Sequence, residues 1–285
     1  MEINLGKLLA VGSSAEVYEY GKDNVIKLYN DNFGEGTANF EYQKTKNAWE
    51  NNLPAPRTYG LIKHNNRFGF IMERIYGNTM NDEIVCFVTK SEGIPFNDIF
   101  YSEQITGRIK NTAKILHNIH RTQANLIDTA EATIKRTIDM CDILTQDEKT
   151  VMFDILYSLP KYNRVCHGDP NFNNFIETID GYRLVDWMNS VTGNPMFDLG
   201  WYKAMLSRTL LSSSTPDWVN IFFEQYKDKM FDIFLDEYKA LSNIDILDLD
   251  KWTLLLSTIN LTGSGNDEQK LIALREIQNR LKMFL

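Results

Sequence analysis

The feature that most constrains this chain is a change of hydrophobic period close to Gly77. Before it, apolar residues alternate over short runs; after it, they recur every three or four positions over runs of a dozen or more. Residues 5–11 and 16–20 read as strands on either side of a Gly12-Ser13-Ser14 turn, and 24–29 as a third. Residues 57–63 and 67–73 read as a hairpin closed at Asn65-Asn66, a residue type that tolerates the left-handed backbone of tight turns. A helix is expected over 37–50, stopped by Asn51-Asn52-Leu53-Pro54. Five strands and one helix make a small antiparallel-sheet lobe, residues 1–75.

The remainder, 76–285, reads as a larger, mainly helical lobe, which makes the chain α+β with its boundary near 74–78. Residues 104–120 place Ile105, Ile109, Ala113, Leu116 and His120 on one helical face, and further helices are expected over 146–158, 216–241, 249–261 and 267–284. A strand-like island, 164–186, interrupts them, with turns at Gly168-Asp169-Pro170 and Asp180-Gly181. Composition agrees with a folded core: of 285 residues, 43% are hydrophobic and 24% charged, which excludes a disordered chain.

With 30 Lys and Arg against 38 Asp and Glu, the net charge of -8 argues against nucleic acid or an anionic membrane as partner. No stretch approaches the ~18 uninterrupted apolar residues of a membrane span, and the first residues lack the pattern of an export signal. Cys86, Cys141 and Cys166 match no metal or redox spacing, and Cys166 is expected to be buried and inert. A cytoplasmic protein is therefore expected. Its oligomeric state is not readable from these features.

The densest chemistry lies in His167-Gly168-Asp169-Pro170-Asn171-Phe172-Asn173-Asn174, followed by Leu184-Val185-Asp186-Trp187. Transfer of a phosphoryl group to a hydroxyl needs a carboxylate to orient and accept the hydroxyl proton, and oxygen ligands to hold Mg²⁺ on the nucleotide phosphates. Asp169, Asn174 and Asp186 are the right residue types in the right order. Gly-Asp-Pro is also ordinary turn chemistry, so Asp169 gains its meaning from the two residues that follow.

These motifs resemble the aminoglycoside phosphotransferase and choline kinase superfamily, small-molecule relatives of protein kinases. The resemblance implies a bilobal protein-kinase-like fold with ATP or GTP as co-substrate and Mg²⁺ as cofactor. It implies Asp169 as catalytic base, Asn174 and Asp186 as metal ligands, and His167 and Asp198 as structural support of the catalytic loop. In the first lobe it implies that Gly12, Ser13 and Ser14 approach the phosphates and that Lys27 contacts them, held by Glu41. Met72 would then lie beside the base pocket, with the main chain of Glu73 and Ile75 reading the base edge. The Gly-Ser-Ser loop carries fewer glycines than protein kinases use. The metal segment reads Asp-Trp-Met where they carry Asp-Phe-Gly, and no Ala-Pro-Glu follows it, which points away from a protein substrate.

A Mg-dependent kinase acting on a small-molecule hydroxyl is the expected activity, on an aminoglycoside or on a metabolite such as an amino alcohol or sugar. A non-catalytic nucleotide-binding module is the alternative. Asp236, Glu237, Asp245, Asp248 and Asp250 form an acidic segment that would suit a cationic acceptor, although solvated helix ends are the commoner use of such residues. Trp187, Trp201, Tyr202 and Trp252 could offer faces to an amine, but large aromatics are more often core.

Overall fold

The computed structural model describes residues 4–206, 215–242, 246, 248–262 and 267–282. The chain divides into two compact units: one runs up to Glu83 and takes in Phe172–Ser190, and the other consists of Ile84–Asn171 and Val191 onward. In chain order the elements open with β1 (Leu8–Val11), β2 (Ala15–Tyr20), β3 (Asn24–Tyr29), α1 (Glu35–Glu50), β4 (Thr58–His64), β5 (Arg67–Glu73) and β6 (Asn78–Thr79). Helices α2 (Met80–Lys90), α3 (Phe96–Phe100), α4 (Glu103–His120), α5 (Ala130–Asp139) and α6 (Gln146–Ser158) follow. Next come β7 (Arg164–Cys166), β8 (Phe175–Thr178), β9 (Gly181–Leu184) and β10 (Val191–Gly193). Helices α7 (Met196–Leu206), α8 (Asp217–Leu241), α9 (Leu249–Ser257), α10 (Ile259–Thr262) and α11 (Asp267–Leu281) complete the described elements. The α+β class and the five-stranded N-terminal sheet are as expected.

In the first unit the antiparallel sheet has the order β1-β2-β3-β5-β4, so the most apolar strands, β3 and β5, are central. Gly69 on β5 faces Leu28 on β3, and a Cβ there would lie 2.2 Å from the Lys27 carbonyl oxygen, so only glycine lets the two strands pair. Asn65 and Asn66 both have positive φ, 46° and 65°, as a two-residue hairpin turn requires. Helix α1 buries Ala38 and Ala48, and with them the polar Glu41, Lys44 and Thr45. Asn52, with φ 59°, turns the chain out of its end. A smaller sheet of order β6-β8-β9 belongs to the same unit.

In the second unit α4 packs along α8 and α7 against α9, with Ile105, Ile109, Ala113 and Leu116 of α4 all buried. Strands β7 and β10 pair antiparallel, with Val191 opposite Cys166. The start of α6 is set by a capping box in which Thr145 accepts from the Glu148 amide and the Glu148 carboxylate accepts from the Thr145 amide. The helix expected over 249–261 is broken at Thr258, whose hydroxyl donates to the Leu255 carbonyl at 2.6 Å. Phe284, at the end of the last expected helix, lies outside the described residues.

Candidate functional site

Period-2 geometry on β3 puts Lys27 and Tyr29 on the same face of the strand. There Lys27 Nζ lies 2.6 Å from Glu41 Oε1 on α1 and 3.6 Å from Asp186 Oδ2. The Tyr29 hydroxyl donates to the other oxygen of Glu41. Desolvation works against the Lys27 charge, yet the carboxylates of Glu41 and Asp186 hold its pKa above the usual lysine value. Burial pushes the Glu41 carboxyl up, and Lys27 opposes that push while Asp186 adds to it. The pairing of Lys27 with Glu41 thus has the geometry expected of it, whereas the part played by Tyr29 is not marked by any motif. Its position two residues from Lys27 was the available signal.

The Gly12-Ser13-Ser14 turn does join β1 to β2, with the Gly12 amide donating to the Ala15 carbonyl at 2.8 Å. Asn30 anchors it: its amide N–H donates to the Ser14 carbonyl at 2.9 Å and its side chain to the Ser13 carbonyl at 3.2 Å. Met72 belongs to the core cluster of the first unit with Val25, Tyr29, Ala38 and Phe70. Glu73 acts with its side chain as well as its main chain. Its carboxylate accepts from both terminal nitrogens of the Arg183 guanidinium, at 3.2 and 2.8 Å, and from the Arg57 amide at 3.0 Å, fastening β9 to β5. Ile75 is half-buried just beyond β5.

Asp186 follows β9 with φ 62° and ψ 62°, a left-handed conformation that costs a non-glycine residue energy and clusters at functional positions. The turn after it is fixed by the Trp187 indole donating to the Leu184 carbonyl at 2.8 Å and by the Ser190 amide donating to the Trp187 carbonyl at 3.0 Å. Lys44, buried on α1, donates to the Ser190 carbonyl at 2.5 Å. The carbonyl of Asn174 accepts the Val185 amide at 3.0 Å, so Asn174 and Asp186 are held on neighbouring stretches of backbone. Carboxylate and carboxamide oxygens are the donor types that a hard cation such as Mg²⁺ takes. The Asp186 side chain keeps 39% exposure for a ligand to reach.

In the second unit β7 delivers His167 and Gly168 into a buried brace. Asp198, at the start of α7, accepts the His167 amide on Oδ2 and the Gly168 amide on Oδ1, both at 2.7 Å. His120 Nε2 lies 3.0 Å from Asp198 Oδ2, and its Nδ1 lies 2.7 Å from the Tyr238 hydroxyl. His120, Cys166 and Asp198 bring possible metal-ligating atoms within 4.8 Å of one another. The carboxylate is already committed to backbone amides and both ring nitrogens to partners, so the cluster is a hydrogen-bonded support. Burial, with Asp198 nearby, pushes the Cys166 thiol well up, as an inert cysteine requires. His120 and Tyr238 were not singled out as part of this site from the sequence, because 118 positions separate them and only the pairing of α4 with α8 brings them together.

Past the brace, the Asp169 amide donates to His167 Nδ1 at 3.3 Å. Asp169 Oδ1 accepts from the Asn171 side chain at 2.9 Å and from the Trp201 indole at 3.1 Å. Two donors on one oxygen fix the plane of the carboxylate. Trp201 is thereby committed to Asp169, and Trp187, Tyr202 and Trp252 are buried, so these aromatics are not open faces for an amine. Of the acidic segment, Asp250 pairs with Lys203, Asp248 with Lys251 and Glu237 with Lys114. Asp245 lies outside the described residues. No helix among the described residues is long and apolar enough to cross a membrane.

The fold matches crystal structures of aminoglycoside phosphotransferases. With APH(4)-Ia the TM-score is 0.64 at 14% identity, covering 98% of this chain and 93% of that one. The ternary complex of streptomycin and ATP with APH(2")-IIa gives 0.57 at 15% identity, covering 97% and 92%. ADP-bound APH(2'')-Ib gives 0.55 at 14% identity, covering 99% and 96%. No curated protein sequence matches the chain. At such identities the likeness is one of fold, and the chemical class comes from the sequence model described as the phosphotransferase enzyme family, which matches residues 6–233. With that match spanning most of its length, the chain belongs to the phosphotransferase enzyme family.

Proposed function

We propose that this phosphotransferase moves the γ-phosphoryl group of ATP or GTP to a hydroxyl of a small molecule. The observation that carries the proposal is the Lys27 ammonium held at 2.6 Å from Glu41 and 3.6 Å from Asp186. The two carboxylates keep that ammonium charged although burial opposes its charge, and a charged ammonium is the group a nucleotide phosphate would meet. Lys27 would hold the inner phosphates with Glu41 as its brace, and Gly12, Ser13 and Ser14 would close over them. The base would sit by Met72 against the main chain of Glu73 and Ile75. This division assigns nucleotide binding to residues 1–75 and catalysis with acceptor binding to 76–285.

Asp169 would accept the proton of the attacking hydroxyl, its orientation set by Asn171 and Trp201 and its loop by Asp198 and His167. Asn174 and Asp186 would hold Mg²⁺, which when bound supplies neutralisation of phosphate charge. APH(4)-Ia has been crystallised with AMP-PNP and hygromycin B, and APH(2")-IIa with gentamicin, which makes aminoglycosides the first acceptors to try. The acidic surplus of the chain favours a cationic acceptor. The proposed setting is the cytoplasm, where the three free thiols stay reduced.

The test is consumption of Mg-ATP and Mg-GTP, run separately, across aminoglycosides, amino alcohols, sugars and nucleosides, with Asp169→Asn alongside. Acceptor-stimulated turnover that Asp169→Asn reduces by about 10³-fold while still binding nucleotide supports the assignment. Full activity in Asp169→Asn removes the base, and nucleotide binding without turnover on any acceptor leaves a binding module.

A further inference from the structure

Tyr29 joins three parts of the first unit that the phosphate-binding role of Lys27 requires to act together. Its side chain is fully buried, and its hydroxyl meets Oε2 of Glu41, the oxygen that Lys27 does not use. The Lys27 ammonium stands 5.9 Å from the centroid of the tyrosine ring, and Phe33 packs on that ring with centroids 5.7 Å apart. The same hydroxyl lies 4.0 Å from the thioether of Met188, two residues beyond Asp186. Met188 occupies the position after Asp186-Trp187, and its contact with Tyr29 ties that turn to β3.

The chemistry of the pair explains why a second donor is needed. The last torsion of a glutamate is broad, so a single lysine contact leaves its carboxylate free to swing. A second donor on the other oxygen removes that freedom. A phenol does so without bringing a second positive charge to compete with Lys27 for the carboxylate. We propose that Tyr29 is a positioning residue for nucleotide binding, locking the Glu41 carboxylate so that the Lys27 ammonium stays aimed beside Asp186; this rests on Lys27 being the phosphate-binding lysine.

The test is the affinity of the full chain for Mg-AMP-PNP by calorimetry in Tyr29→Phe, Glu41→Gln, the double variant and Lys27→Ala, each with its urea midpoint. Tyr29→Phe is expected to weaken binding about ten-fold. The double variant is expected to be no weaker than Glu41→Gln alone, because Tyr29 acts through that carboxylate. Tyr29→His, which restores a donor, should recover part of the loss and serves as the readable variant if Tyr29→Phe does not fold. Additive losses in the double variant, or wild-type affinity in Tyr29→Phe beside a weakened Lys27→Ala, overturn the proposal and leave the role of Lys27 standing. Wild-type affinity in Lys27→Ala instead overturns the phosphate-binding role on which the proposal is built.

Discussion

The backbone N–H of His167 donates to Oδ2 of Asp198 at 2.7 Å across 31 positions of sequence. The neighbouring amide of Gly168 takes the other oxygen, and the whole arrangement is buried. A carboxylate receiving two amides holds the backbone that leads into Asp169 in one conformation. Asp198→Ala leaves both amides without an acceptor inside the protein and is expected to cost about 3 kcal/mol or more. Denaturant unfolding measures this, and a loss below about 1 kcal/mol is incompatible with the brace. Asp198→Asn is expected to be nearly as damaging, since one oxygen becomes an NH₂ facing an amide donor.

Asp186 calls for a substitution that removes charge without disturbing its left-handed backbone. Asparagine tolerates positive φ, so Asp186→Asn keeps the turn and removes the charge of the proposed metal ligand. The expected result is an unchanged thermal midpoint, a raised Mg²⁺ requirement and a turnover about 10²-fold lower at saturating Mg²⁺. A Mg²⁺ titration of the transfer rate checks it. An unshifted titration with undiminished turnover means that the metal is held elsewhere.

Much of the first unit was legible because its signals are local. Alternation, an Asn-Asn turn and an Asn-Asn-Leu-Pro stop are each decided by a few neighbouring residues, and strands 24–29 and 67–73 came out with the bounds observed. The helices that were not anticipated lack such signals. Helix α7 is buried on nearly every face, so it shows no amphipathic stripe, and α2 carries the β-branched Ile84, Val85 and Val88 that also suit a strand. The short α5 is marked only by Thr129 accepting from the Ala132 amide and by Ala130, Ile134 and Ile138 turned inward. The pairing of Lys27 with Glu41 was readable from the order of the motifs along the chain. Trp201 on Asp169, Tyr238 on His120 and Arg183 on Glu73 depend on elements meeting in space, which no spacing rule encodes.

Gly77 gives a stability prediction from backbone geometry alone. It sits just before β6 with φ 158°, and a Cβ there would lie 1.9 Å from the carbonyl oxygen of Glu177 on β8. Backbone cannot be moved aside as a flexible side chain can, so Gly77→Ala must either separate β6 from β8 or strain both. The expected cost is about 2 to 4 kcal/mol. Gly60→Ala on β4, where nothing lies within 4 Å of the added Cβ, is the control and should change little. Equal unfolding midpoints for the two variants would show that the strands do not approach as closely as described.

Glu73 carries a pH prediction with a definite sign. Partial burial works against its charge, but the Arg183 guanidinium and the Arg57 amide hold its carboxyl below the ordinary 4.5. A carboxyl with a lower pKa in the folded state binds fewer protons there than in the unfolded chain. Its stabilising contribution is therefore complete above the unfolded value and fades as pH falls through the folded one. The pair is partly exposed, so Glu73→Gln is expected to cost about 1 kcal/mol near pH 7. The gap between the two proteins should begin to narrow as pH drops below 4.5 and close once pH lies below the lowered folded value, where the wild-type carboxylate is protonated too. Thermal midpoints of both proteins between about pH 7 and pH 3 check this. A gap that persists undiminished at the acid end means that Glu73 fastens β9 by packing and neutral hydrogen bonds, with its charge irrelevant.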